Sequence, residues 1–119
     1  MIDLAGQLIG DAGLATLVTA LYKAPVEVIS LTRNKVTDIG LIQHLGPALR
    51  TWNHLKELYL NDNNFGDTGV EALFLLDQYS PTLKVLNIAR NAFTAKSAQY
   101  IGAMFASSTA NNVVPTVSS

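Results

Sequence analysis

The sequence predicts an α/β fold: a right-handed solenoid of about four units, with a curved parallel sheet on the concave side and helices on the convex side. Three observations carry this expectation. Four segments match when the chain is laid against itself, IDLAGQLIGDAG from Ile2, ISLTRNKVTDIG from Ile29, LYLNDNNFGDTG from Leu58 and LNIARNAFTAKS from Leu86. The amide side chains at one fixed place in these segments, Gln7, Asn34, Asn63 and Asn91, are separated by 27, 29 and 28 residues, a regularity that marks stacked repeats. Within each unit the hydrophobic period changes from alternation to three- and four-residue steps, which reads as a strand followed by a helix.

The strands come first. Ile29 and Leu31 share one face while Val28, Ser30 and Thr32 share the other, and Leu58 and Leu60 against Glu57, Tyr59 and Asn61 repeat the pattern. Leu86 and Ile88 against Val85, Asn87 and Ala89 repeat it again. Parallel strands are therefore expected near residues 2 to 5, 28 to 32, 57 to 61 and 85 to 89, each with one face in the core and one in water. Helices are expected from Leu14, Leu17, Val18 and Leu21, from Leu41, Ile42, Leu45 and Leu49, from Val70, Leu73 and Leu76, and from Ala98, Ile101 and Phe105. Stacking such β-α units buries each helix between its neighbours and the back of the sheet.

The connections follow from local chemistry. Asp11, Asp38 and Asp67 recur at the helix starts, where a carboxylate is expected to cap exposed N–H groups and face the positive end of the helix dipole. Thr94 is placed to cap the fourth helix. Pro25 and Pro81 precede strands and bias the chain toward extended geometry. Gly46-Pro47 falls inside the second helix, which is expected to stop or kink near Leu45. Two outer units depart from the pattern, with Gln7 in place of Asn and Ser97 in place of Gly.

Composition narrows the function. The 119 residues include 8 Lys+Arg, 9 Asp+Glu and no cysteine, with 49% hydrophobic and 14% charged residues, values that suit one compact domain. A net charge of −1 gives no cationic surface for nucleic acid or an anionic membrane. Lack of cysteine removes disulfides, thiolate metal sites and thiol nucleophiles, and fits a reducing, cytoplasmic location. The apolar start lacks leading positive charge and is broken by Gly6, Gln7 and Gly10, so it reads as neither signal peptide nor membrane span.

Val26, Leu55 and Leu83, each three residues before a segment, complete the pattern L-x-x-L-x-L-x-x-N-x-L. This pattern resembles the leucine-rich repeat. The length near 28 residues, with Gly13, Gly40 and Gly69 followed by apolar helical positions, resembles its ribonuclease-inhibitor-like subtype. The resemblance spans residues 1–107, with repeats at about 1–25, 26–54, 55–82 and 83–107. Residues 108–119 are left as a tail or a degenerate fifth strand, with Val114 and Val117 placed like Leu83 and Leu86.

The resemblance implies that Asn34, Asn63 and Asn91, with Gln7 at the first rung, form an inward structural ladder that bonds the backbone of adjacent turns. It also implies a non-catalytic protein–protein interaction module that meets its partner through the concave sheet. On that face Tyr59 is the one large anchor, surrounded by Glu57, Asn61, Val85 and Asn87, and these five residues form the candidate protein-binding patch. Arg33, Asp62 and Arg90 make an alternating rim beside it. His44 and His54 have no ligand-spaced Cys, Asp or Glu, and there is no nucleophile elbow or Gly-rich phosphate loop, so no catalytic residue, metal or cofactor is expected. Two alternatives from the same family are regulation of a small GTPase, with Arg33 or Arg90 meeting the partner, and a fragment of a larger receptor or scaffold. The edge at Ile2 and Leu4 further predicts a homodimer through the first repeat or upstream repeats that cover it.

Overall fold

Ile2 lies beside Ile29, Ile29 beside Leu58, and Leu58 beside Leu86, all in parallel register. This column of apolar repeat positions is the axis of a computed structural model that describes residues 1–76, 82–100, 102 and 114–116. The elements run β1 (Ile2–Asp3), α1 (Gly10–Ala20), β2 (Val28–Ser30), α2 (Asp38–Gly40), a π-helical turn (Leu41–Leu45) and α3 (Gly46–Leu49). They continue with β3 (Glu57–Tyr59), α4 (Asp67–Leu76), β4 (Val85–Asn87), a 3-10 turn (Ala95–Ser97) and β5 (Val114–Thr116). The five strands form one parallel sheet in chain order, the arrangement of an α/β solenoid. Among the described residues no helix is long and apolar enough to cross a membrane.

The regular strands are shorter than the alternation suggests, although main-chain pairing runs a few residues past them. Leu31 N–H still reaches Tyr59 O at 2.8 Å and Leu60 N–H reaches Asn87 O at 2.8 Å. Beyond that point Arg33, Asp62 and Arg90 take φ of 55°, 60° and 54°, turning each chain out of the pleat. Gly6 occupies the same place in the first unit with φ 69°, a conformation open to glycine at little steric cost.

The core lies between the sheet and the helices. Ile29, Leu31, Val36, Leu41, Leu45, Leu58, Leu60, Phe65 and Val70 are fully enclosed, each such side chain contributing about 2 kcal/mol by its removal from water. Trp52, also buried, donates its indole N–H to Leu21 O at 2.9 Å. It thereby fills the base of the second unit and satisfies a carbonyl at the end of α1.

Two expectations about the helices are corrected. Of the stop or kink expected near Leu45, the stop does not occur; helical backbone runs from Asp38 to Leu49, and the irregularity takes the form of a π turn at Leu41–Leu45 just before Gly46-Pro47. Pro47 has no N–H to return to a carbonyl four residues back and its ring would strike that carbonyl, so a wider turn ahead of it removes both conflicts.

The second correction concerns the aspartates. Each sits in the first turn of its own helix, but its carboxylate bonds to the following unit. Asp11 accepts from the N–H of Thr37 at 2.9 Å and from the Thr37 hydroxyl. Asp38 accepts from Gly66 and Gly69 N–H at 2.9 and 2.5 Å. Asp67 accepts from Thr94 N–H and hydroxyl at 2.8 and 2.7 Å and from the Ser97 hydroxyl at 2.5 Å. The carboxylates therefore staple repeat to repeat along the convex side, and Thr94 caps its own turn by accepting from Lys96 N–H at 3.3 Å.

This geometry accounts for the glycines. A Cβ on Gly40 would fall 2.1 Å from Asp11 Oδ1, and one on Gly69 would fall 2.5 Å from Asp38 Oδ1. Serine at position 97 fits the fourth unit because it turns its hydroxyl onto the carboxylate. At the far edge, β5 sets Val114 against Val85 and Pro115 against Leu86. The pairing thus differs by two residues from the placement of Val114 with Leu83 and Val117 with Leu86. Pro81, Ile101, Phe105 and Val117 lie outside the described residues.

Gly40→Ala is expected to lower the unfolding free energy by about 1 to 3 kcal/mol through overpacking. Asp11→Ala removes the obstructing oxygens, so the double variant should cost less than the sum of the two singles. Urea denaturation of the set reads the coupling, and strictly additive losses would mean that the two residues do not meet.

Candidate functional site

The inward amides are built where each strand turns into its connecting loop, a place that leaves main-chain groups pointing into the core. Asn34 Oδ1 accepts from Gln7 and Ile9 N–H at 3.1 and 3.3 Å, and its Nδ2 donates to Leu4 O and Thr32 O at 2.8 and 3.2 Å. Asn63 Oδ1 accepts from Asn34 and Val36 N–H, both at 3.0 Å, and its Nδ2 donates to Leu31 O and Leu60 O at 2.9 and 3.0 Å. Asn91 Nδ2 donates to Leu60 O and Ile88 O at 3.0 and 3.1 Å. Gln7 is a correction: its side chain is exposed, and only its main-chain N–H joins the ladder. β1 is the sheet edge, so no neighbouring strand offers the carbonyl that the other amides reach.

On the opposite side of the sheet the register aligns Val28, Glu57 and Val85 in one row and Asp3, Ser30, Tyr59 and Asn87 in the next. Glu57, Tyr59, Asn61 and Asn87 line a shallow depression of about 510 Å³ together with Met1, Val28, Ser30 and Thr32. Val85 stands beside Glu57 in the register but outside that lining. Ser30, expected to face water, is only 8% exposed. Its hydroxyl lies 3.3 Å from that of Thr32.

Hydrogen bonds tie this face together. The Tyr59 hydroxyl donates to Glu57 Oε1, and that bond, with lesser effects of burial and the carboxylate charge, raises the pKa of the phenol. Thr32 Oγ1 donates to Asn61 Oδ1 at 3.0 Å, and Asn61 Nδ2 donates to Asp62 Oδ2 at 2.9 Å. Arg90 Nε and Nη2 then grip Asp62 Oδ1 and Oδ2 at 2.6 and 2.8 Å. A continuous polar chain thus runs from Ser30 at the sheet centre to Arg90 at the rim. The two arginines of the rim differ as a result: Arg90 is engaged in a bidentate pair, whereas Arg33 contributes only its charge to Asp62. The hydrogen bond from Arg90, then that from Asn61, lowers the Asp62 pKa to about 2.

The histidines are apart from this face. His44 is half-buried beside a convex groove with Ala15, Val18, Tyr22 and Pro47, and His54 is exposed near Lys23 and Arg50. Among the described residues no three His, Cys, Asp or Glu side chains converge to hold a metal ion. The alternation of strand residues placed Glu57, Tyr59, Asn61 and Asn87 on one face, where all four line the depression. It did not reveal the bonds that fix them, because those join side chains on neighbouring strands at separations such as 29 residues between Thr32 and Asn61.

Comparison with known proteins places this geometry in context. The family model described as Leucine Rich repeat matches residues 53–74 and 79–102. The ribonuclease inhibitor of Sus scrofa is 33% identical over 87 residues, which cover 71% of this chain and 19% of that protein. The chain therefore spans about a fifth of the length of the curated relative it matches. Among solved structures, Leiomodin-1 Actin-Binding Site 2 superimposes with a TM-score of 0.76 at 15% identity, covering 100% of this chain and 71% of that one, a likeness of fold.

Asn63→Ala is expected to destabilise the protein by about 1 to 3 kcal/mol, because main-chain groups left buried without partners bear their full desolvation cost. Equilibrium denaturation checks it. Asp62 behaves as a depressed carboxylate, so what its charge contributes is present above the ordinary value of 3.8 and is lost as pH falls toward about 2. In Arg90→Gln the Asp62 titration, followed by carboxyl ¹³C NMR, should move back up toward the ordinary value. An unchanged midpoint would mean that the pair does not form in solution.

Proposed function

Because this chain belongs to the leucine-rich repeat family, in its ribonuclease-inhibitor-like type, we propose that residues 1–107 act as a non-catalytic module that binds another protein through the concave sheet face. The observation that carries the reading is the ordered polar surface around Tyr59. Glu57 holds its hydroxyl, and Thr32, Asn61, Asp62 and Arg90 are bonded in series beside it. Side chains already fixed in the free protein lose little entropy on docking, and a tyrosine supplies apolar area with one polar tip. Val85 and Asn87 extend the patch onto the next strand.

The partner we infer is a protein whose contact surface is mostly neutral. Charges on and around the face offset one another: Glu27 pairs with Lys56 at 3.6 Å and Asp62 with Arg90. That balance weighs against nucleic acid, an anionic membrane or a strongly basic enzyme as the target. It suits a cytoplasmic scaffold. Regulation of a GTPase is the weaker reading, since Arg90 is committed to Asp62 and Arg33 alone remains to approach a nucleotide. Self-association through the β1 edge competes for the first repeat. Met1 and Leu8, 80% and 65% exposed, favour it, whereas Asp3 opposes it by holding Ala5 N–H at 3.0 Å.

The names of the two relatives supply the first proteins to try, actin as a candidate and a basic ribonuclease as the one the charge balance expects not to bind, alongside a panel of GTPases read by GTP hydrolysis. For a partner that binds, Tyr59→Ala is expected to weaken affinity at least tenfold, about 1.4 kcal/mol, with Asn87→Ala acting in the same direction and the thermal midpoint retained. Calorimetry gives the affinities, and light scattering on the same samples reports any dimer. An affinity untouched by both variants would remove the concave face from the interface.

A further inference from the structure

The links that join successive repeats are not equal in quality. Between the second and third repeats, Asn63 Oδ1 receives two buried N–H groups, those of Asn34 and Val36. Asp38 receives two main-chain N–H groups on the convex side. Between the third and fourth repeats the corresponding acceptor, Asn91 Oδ1, is buried and has no partner. The repeat geometry assigns it the N–H groups of Asn63 and Phe65, and they do not reach it. A buried acceptor without a donor withholds the stabilisation that the other rungs provide.

Two further features mark the same junction. Phe93 stands where Val36 and Phe65 are fully enclosed, yet it is only half-buried. The convex staple there is exposed at Thr94, although Asp67 also takes the hydroxyl of Ser97, and the helix it caps begins as a 3-10 turn. Across the concave rim the junction is latched by the exposed Asp62–Arg90 pair, an interaction of small value in water that salt weakens further.

We propose that the junction between the third and fourth repeats is a built-in seam, at which β4, its following turn and β5 open as a unit while the first three repeats stay folded. In a solenoid each repeat contacts only its neighbours, so one weak interface divides the molecule into separately opening parts. β5 moves with this unit because its strand partner is β4. Val85 and Asn87 of the concave patch lie on the part that opens, whereas Glu57, Tyr59 and Asn61 lie on the part that stays.

Native-state hydrogen exchange on the full chain tests the seam without any ligand. The amides of Leu86, Ile88 and Leu60, the last donating to Asn87 O across the seam, are expected to exchange at least about tenfold faster than those of Ile29 and Leu31, through an opening with a smaller denaturant dependence than global unfolding. Arg90→Gln should accelerate exchange at Leu86 and Ile88 further and leave Ile29 and Leu31 unchanged. Raising the salt concentration should shift the wild type in the same direction. Equal rates and equal denaturant dependence across β2, β3 and β4 would show one cooperative unit and overturn the proposal, as would an Arg90→Gln effect spread evenly over all strands.

Discussion

A solenoid of this kind depends on solving one problem at every turn. The chain must leave a buried strand and enter a loop while its main-chain donors and acceptors are still inside the apolar stack, where an unpaired group costs several times what a typical hydrogen bond contributes. Asparagine answers this with two donors and one doubly accepting oxygen on the shortest amide side chain. Asn63 satisfies the N–H groups of Asn34 and Val36 and the carbonyls of Leu31 and Leu60 together. The left-handed residue just before each rung, φ 60° at Asp62, swings the amide into that position.

The convex side uses a second set of links with the same logic. Asp11, Asp38 and Asp67 each reach forward to the next repeat, so the N–H groups at one helix entry are satisfied by the preceding unit. The close approach demands glycine at 40 and 69, or a residue such as Ser97 that returns a hydrogen bond to the carboxylate. Amides inside and carboxylates outside therefore hold the repeat spacing from both faces, and helix and sheet are free to differ in length between units. The π turn ahead of Pro47 shows how much local irregularity those links absorb.

The concave face inherits its order from this scaffold. Because β2, β3 and β4 are in strict register, Tyr59 is flanked by Ser30 on one side and Asn87 on the other, and the polar chain from Thr32 to Arg90 follows the same cross-strand rows. A surface of this kind is suited to binding because its side chains are already placed. Its electrostatics are local, with Arg90 answering Asp62 and Lys56 answering Glu27, so under the proposed function shape and hydrogen bonding would carry more of the recognition than net charge does.

How much of this was legible in advance follows from the range of each interaction. The alternation of Ile29 and Leu31 with Ser30 and Thr32, and the recurrence of Asn34, Asn63 and Asn91, are properties of single repeats, and they determined the strands and the parallel stacking, while Ser30 and Ala89, read as facing water, are buried. The exposed Gln7 shows where pattern alone stops, since an amide at the right position makes no rung when no carbonyl lies beside it. Which repeat each aspartate caps, the partner of Trp52 and the unsatisfied Asn91 Oδ1 were decided only by tertiary structure. The physical reason is that these bonds span roughly one repeat length, such as 31 residues from Trp52 to Leu21. Their geometry exists only once two repeats are stacked at a definite distance and angle.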